Sequence, residues 1–139
     1  MDKRPLAYRH LARLHEMVTH ASFARVVVDR GLSHDPAVAQ SAQSDRAIDE
    51  EIQTLARERG WTLPETKDYQ WQLVQDDYNT VVPRVLRVIA RDLFELDEMR
   101  RRTDDDDVAS LASTLHSERH ALVQALEAAH PEFALPGAK

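Results

Sequence analysis

Apolar residues recur along this chain at the three- and four-residue spacing that places them on one side of an α-helix. The clearest stripe lies in residues 108–129 and comprises Val108, Leu111, Leu115, Leu122 and Leu126. One position of this stripe holds a carboxylate, Glu118, with His116 and His120 close on either side. A buried carboxylate is costly unless it is paired, hydrogen-bonded or bound to a cation, so this position is the first candidate for chemistry.

Similar stripes, separated by proline and glycine, predict four helices, at about residues 5–30, 36–59, 66–101 and 105–130. Pro5 and Pro36 suit the first turns of the first two helices, where a missing N–H costs nothing. Gly31 and Gly60 follow those helices in the position where glycine commonly ends one. We expect the first helix to be continuous from residue 5 to residue 30.

The third stretch is long, and its one strong break is Pro83. A continuous helix over residues 65–102 would measure about 55 Å, against about 38 Å for its neighbours. The sequence therefore predicts a helix that is kinked or split near residues 80–83, with an aromatic segment containing Tyr69, Trp71 and Tyr78 before it and the main helix from Pro83 to Arg102. Short links between four amphipathic helices predict an all-α, antiparallel up-down-up-down four-helix bundle, formed as one domain by residues 1–139.

Composition restricts the classes of function. Hydrophobic residues make up 42% and charged residues 30% of the 139 positions, as is typical of a globular protein. The formal net charge of -6 argues against binding to nucleic acid, and the absence of cysteine excludes disulfides and thiolate metal sites. No apolar run is long enough to span a membrane or to form a signal peptide, so we expect a cytoplasmic protein as written, or a periplasmic one if a leader was removed.

Three short motifs favour structural over catalytic interpretations. The four aspartates at residues 104–107 lack the spacing and glycine of a calcium-binding loop, and they predict a helix cap and first turn. The segment 116–120, HSERH, places its glutamate one position too late for a zinc protease motif. Glu127 and His130 form the one Glu-x-x-His sequence, at a helix end, which makes a standard diiron oxidase an unlikely match.

The restart Asp35-Pro36-Ala37-Val38, followed by a helix that closes on LARERGWTLP at residues 55–64, resembles a bacterial ferritin-like family of unknown function. Members of that family are often labelled as outer-membrane or periplasmic proteins. The resemblance identifies the chain as a degenerate member and implies a ferritin-like bundle, with a stress-related setting. Where the family pattern has a histidine in the middle of the second helix, this chain has Asp45. This chain also has no histidine near Ala90 or Arg91, where the family pattern has one.

Several metal-ligating side chains are expected at one depth in the bundle, about 14 to 20 Å from the end that carries Gly31. The candidates are His20, Asp45, Asp92, His116, Glu118 and His120. If they converge, they suit a divalent transition metal such as iron, manganese or zinc. The alternative is that the carboxylates pair with arginines, for which Arg25, Arg46, Arg91 and Arg119 are the candidates.

Two function hypotheses follow. The first is a non-catalytic helical bundle that acts through its surfaces as a binding or stress-related protein, with no cofactor and with a homodimer as one form. The second is a ferritin-like metal-binding protein, either a redox enzyme or a metal store, with a non-standard site of histidines and carboxylates. Convergence of the six candidates favours the second, and pairing with arginine favours the first.

Overall fold

The computed structural model describes residues 5–19, 21–29, 31, 35–65 and 78–133, and these ranges contain helices and connecting segments but no strands. The elements are α1 (Leu6–Val18), α2 (Phe23–Asp29), α3 (Pro36–Glu58), α4 (Tyr78–Arg102), α5 (Asp106–Ala129) and a 3₁₀ helix (Pro131–Phe133). The short helices α1 and α2 both pack against α3, which in turn packs against α5, and α5 packs against α4. The predicted all-α class is therefore confirmed for the described chain. None of these helices combines the length and the apolar character needed to cross a membrane.

Aspartate side chains cap the starts of α3 and α5. Asp35 accepts a hydrogen bond from the Ala37 N–H at 2.9 Å, directly before Pro36 in the first turn. Asp105 accepts from the N–H groups of Asp107 and Val108 at 3.1 and 3.2 Å. These bonds satisfy donors that have no partner inside a helix, so the acidic segment before α5 has the predicted capping role.

The first predicted helix is not continuous, because the chain leaves the helical path between α1 and α2. The N–H of Ala21 donates to the carbonyl of Glu16 at 3.2 Å, and the N–H of Ser22 donates to the carbonyl of Thr19 at 3.0 Å. In a regular α-helix both would donate to the residue four positions earlier. The expectation of one helix over residues 5–30 is therefore wrong.

The break frees two backbone carbonyls, and arginine side chains occupy both. Nη2 of Arg119 donates to the carbonyl of Met17 at 2.8 Å, and Nη1 of Arg25 donates to the carbonyl of Val18 at 2.8 Å. These are the carbonyls that Ala21 and Ser22 would have reached in a continuous helix. Charged donors from elsewhere in the fold thus replace the lost helical bonds, and this tertiary pairing is the physical reason that the break is stable.

Helix α4 begins at Tyr78 and runs through Pro83, so the main helix starts earlier than Pro83, where the sequence predicts it. Pro83 lies in the second turn, where the lack of an N–H removes one helical bond near the helix start. A split at residues 80–83 is therefore absent from the described chain. Tyr69 and Trp71 of the predicted aromatic segment fall in residues 66–77, outside the described residues.

Two apolar clusters fill the interior. The first draws on residues 7–18, 48–56, 96–99 and 108–115. The second draws on residues 23–27, 38–42, 82–89 and 122–126. Leu11, Leu96 and Leu115 are fully buried in the first cluster, and each such side chain contributes about 1.5–3 kcal/mol of transfer free energy. Since α3, α4 and α5 each enter both clusters, the two clusters follow one another along the same helices.

Candidate functional site

A layer of polar side chains separates the two apolar clusters. On α3 it lies between Val38 and Ile48, on α4 between Ile89 and Leu96, on α5 between Leu115 and Leu122, and in the first segment at the break before Phe23. We call this set the polar layer, and its members are Ser22, Ser41, Asp45, Asp92, Glu118 and Arg119. Apolar side chains lie on both sides of the layer, so its buried charges have to satisfy one another.

Arg119 is the centre of the polar layer. Its side chain is 4% exposed, and Nη1 donates to Oδ1 of Asp45 at 2.7 Å and also to Oε2 of Glu118. Nη2 donates to the Met17 carbonyl, which the helix break makes available. Burial by itself lowers the pKa of Arg119, but the charges of Asp45 and Glu118 outweigh it and leave that pKa raised, so the guanidinium stays charged.

Asp45 uses both of its carboxylate oxygens inside the layer. One oxygen accepts from Arg119, and the other accepts from the hydroxyl of Ser22 at the helix break. The Asp45 side chain is fully buried. Asp45 therefore joins α3 to α5 and to the segment between α1 and α2.

Glu118 is also bound at both oxygens, by the hydroxyl of Ser41 and by Arg119. Its side chain is 10% exposed, and burial raises its pKa to about 7, with Arg119 opposing that shift and Asp45 adding to it. One guanidinium thus faces two buried carboxylates. Burial, and to a smaller extent the negative charge of Asp45, therefore makes this acid retain its proton up to near neutral pH.

Asp92 approaches the layer from α4. Nη2 of Arg13 lies 3.7 Å from its Oδ1, and Arg119 is close enough for its charge to lower the acid's pKa. Burial is the larger effect and raises the pKa of Asp92 to about 6. Asp92 is therefore a weakly compensated carboxylate at the side of the layer.

The structure places the six sequence-predicted metal ligands in different surroundings. Asp45, Asp92 and Glu118 share the polar layer, as the depth argument predicts, and Arg119 lies between two of them. His116 is half-buried and close enough to Arg100 and Asp97 for their charges to act on it; burial, more than Arg100, lowers its pKa. His120 is exposed, and His20 lies outside the described residues. In the described part of the chain, no three histidine or acidic side chains are arranged to hold a metal ion.

The apolar pattern of α5 predicts that Glu118 points into the interior, whereas Arg119 is the more deeply buried side chain. Position 119 lies four residues after Leu115 and three before Leu122, so helical spacing allows it equally well. The sequence predicts Arg119 only as a candidate ion partner of the carboxylates. Ser22 and Ser41 are not among the predicted site residues. The available signal in the sequence was a serine at an inward helical position, because a buried hydroxyl needs a hydrogen-bond partner.

An open groove lies on the outside of the molecule. It is a groove of about 750 Å³ between α1 and α4, and His10, Arg13, Ala90, Phe94, Glu95 and Met99 are among its lining residues. A smaller cleft of about 390 Å³, lined by Ser41, Ser44, Ser117 and Glu118 among others, reaches the edge of the layer between α3 and α5. Arg13 links the outer groove to the polar layer, since it lines the groove and its Nη2 lies 3.7 Å from Oδ1 of Asp92.

Comparison with protein-family models, with curated proteins and with solved structures gives no match to this chain. The class of protein is thus defined by fold and site alone. It is a bundle of helices with a paired cluster of charges between two apolar clusters. The ferritin-like resemblance stays a prediction from the sequence.

Proposed function

We propose that this protein is a non-catalytic helical bundle that acts by binding through its outer surfaces. The observation that carries the proposal is the position of Arg119 between Asp45 and Glu118. The interior carboxylates that suggested a metal site already have a cation, supplied by the chain itself. A guanidinium held by two carboxylates and a backbone carbonyl is a structural ion cluster, and such clusters are a common use of buried charges.

The hydrogen bonding supports the same interpretation. A carboxylate that binds a metal or transfers a proton needs an oxygen that faces a ligand. Both oxygens of Asp45 and both oxygens of Glu118 instead accept hydrogen bonds from within the layer. These two acids therefore serve to hold α3, α5 and the segment before α2 together.

The finer description of the fold is part of this proposal. We propose an up-down-up-down antiparallel arrangement related to ferritin-like bundles. Three residues, 103–105, connect α4 to α5, and these helices pack along each other extensively, which supports antiparallel directions for this pair. A stress-related role is supported by the family resemblance of residues 35–64 alone.

The test is elemental analysis of untagged protein, together with thermal unfolding in the presence and absence of added iron, manganese and zinc. We expect each metal at far below one equivalent and an unchanged melting temperature. D45N is the matched variant, since it removes one interior charge at nearly constant volume. Stoichiometric metal in the wild type that D45N fails to bind would replace this proposal with the metal-binding hypothesis.

A further inference from the structure

Helix α4 presents an unusual outer face. Phe94 is 69% exposed, more than any other large hydrophobic side chain in the described residues. The groove between α1 and α4 opens beside it and includes Ala90 and Met99 in its wall. An exposed aromatic ring next to an apolar groove is typical of a protein-binding surface.

On the side of α4 that carries Phe94, a basic residue precedes the ring and an acidic residue follows it. Arg91 lies three residues before Phe94 and Glu98 four residues after it, so all three lie on one side of α4. Arg91 makes no ion pair or hydrogen bond with any described residue. Glu98 pairs with Arg101 and with Arg102, at 3.2 Å for the latter, along the exposed surface of its own helix, where such pairs contribute little.

This order is self-complementary. When two copies of α4 lie antiparallel across a two-fold axis near residues 94 and 95, Arg91 of each copy lies opposite Glu98 of the other. The same axis sets each Phe94 opposite Glu95 of the second copy, in the wall of that copy's groove. A two-fold interface uses the same patch on both copies, so a patch must match itself, as this one does.

We infer that two copies of this chain bind each other through the α4 face centred on Phe94, with each ring packing against the groove of the other copy. An acidic peptide or a small anion fits less well, because Glu95 and Glu98 line the same groove as the arginines. The same axis also sets Arg87 opposite Arg102 of the second copy. Two helices that cross at an angle lie farther apart with increasing distance from the axis, which limits close approach between these arginines. The inference rests on the proposed function, which is binding through the outer surfaces, but not on the role of the polar layer, so a metal-free protein that stays monomeric would contradict this inference alone.

The test is sedimentation velocity and light scattering of the wild type over a wide range of protein concentration. We expect a reversible dimer, and for F94S a dissociation constant raised by about tenfold or more, because an exposed aromatic anchor is lost. F94S should keep the wild-type melting temperature when both are measured as monomers, since Phe94 lies outside both core clusters.

Charge reversal gives the sharper measurement. R91E places two acids opposite each other, and E98R places two arginines opposite each other, so each variant alone should associate more weakly than the wild type. An equimolar mixture of R91E and E98R should form a heterodimer, because both contacts then join opposite charges. E51R, which reverses an exposed charge on α3, is the control and should dimerise as the wild type does.

Three results would overturn the inference. They are a wild type that stays monomeric at its highest soluble concentration, an F94S dimer as strong as the wild-type dimer, and a mixture of R91E and E98R that gains no affinity over either variant alone.

Discussion

Arg119 and Arg59 each bind a pair of carboxylates, Arg119 inside the bundle and Arg59 on its surface. Arg119 joins Asp45 and Glu118 in the polar layer with 4% of its side chain exposed. Arg59, after the end of α3, binds Asp105 at 2.5 Å and Asp107 at 2.9 Å with 33% exposed. The chemical groups are similar, so the comparison isolates the effect of burial on an ion cluster.

Burial changes what the pairing does. Around Arg59, water can solvate any carboxylate that loses its partner, so the surface cluster is replaceable. Around Arg119, burial deprives the carboxylates of most of that solvation, and it raises the pKa of Glu118 to about 7. The inner cluster therefore carries a large penalty for disruption, although the net stabilisation from an intact buried pair is small.

The largest expected effect comes from Arg119→Met, which keeps an unbranched apolar stem but leaves Asp45 and Glu118 without their cation. We expect a loss of about 3–5 kcal/mol in the free energy of unfolding, as for other broken buried pairs. Urea denaturation at pH 7.5 measures it. A loss no larger than that of Arg59→Ala would show that water reaches the layer.

The next effect is pH dependence. Because the pKa of Glu118 is raised in the folded state, the folded protein holds that proton when the unfolded chain has released it. Its contribution to stability is thus present at acidic pH and is lost as pH rises from about 4.5 to about 7. The loss is on the order of 3 kcal/mol. Asp92 adds a slope of the same sign up to its pKa of about 6.

Glu118→Gln removes this titration while keeping a side chain that can bond to Ser41. We expect the variant to be more stable than the wild type at pH 8, with a flatter dependence of the unfolding free energy between pH 6 and pH 7.5. Denaturant unfolding over a series of pH values measures both. Parallel curves for the two proteins would mean that Glu118 is already solvated.

At the surface, helix capping should matter more than ion pairing. Asp105→Ala removes the acceptor of two N–H groups at the start of α5, and we expect a loss of about 1 kcal/mol. Asp107→Ala is the matched control, since it removes a carboxylate that binds Arg59 but caps nothing. Equal losses for the two variants in thermal unfolding would contradict the assignment.

The smallest effect is expected for Arg59→Ala. It removes the exposed pairs and the contact of the guanidinium with the Trp61 ring, 5.5 Å from the ring centre. We expect a melting temperature close to that of the wild type, and closer at high salt, where surface pairs are screened. A drop as large as that of Asp105→Ala would show that the surface cluster is structural.

Much of the fold can be predicted from the spacing of apolar residues and from the residues that begin and end helices. The stripes and the signals at Asp35, Pro36 and Gly60 place α3, because they act within a few residues of where they stand. The break at residues 19–22 has no such signal, since no glycine or proline occurs there. It depends on Arg119, which binds the Met17 carbonyl from a distant helix, and on Arg25, which binds the Val18 carbonyl from the helix that follows the break.

The candidate site was likewise predictable only in part. Helix lengths predicted that Asp45, Asp92 and Glu118 share one depth, because rise per residue is fixed. Helical spacing could not choose between Glu118 and Arg119 for the inward position. That choice depends on which side chain is long enough to reach across to Asp45 and the Met17 carbonyl, and this is a property of the packed structure.

The polar layer also constrains how this chain can change in length during evolution. A single residue inserted into α5 between Leu115 and Arg119 would rotate everything after it by about 100° and turn the guanidinium out of reach of Asp45. Insertions at the helix ends leave that alignment intact. In related sequences, gaps should therefore fall in the connections, and the distance from this arginine to the leucines on either side should stay fixed.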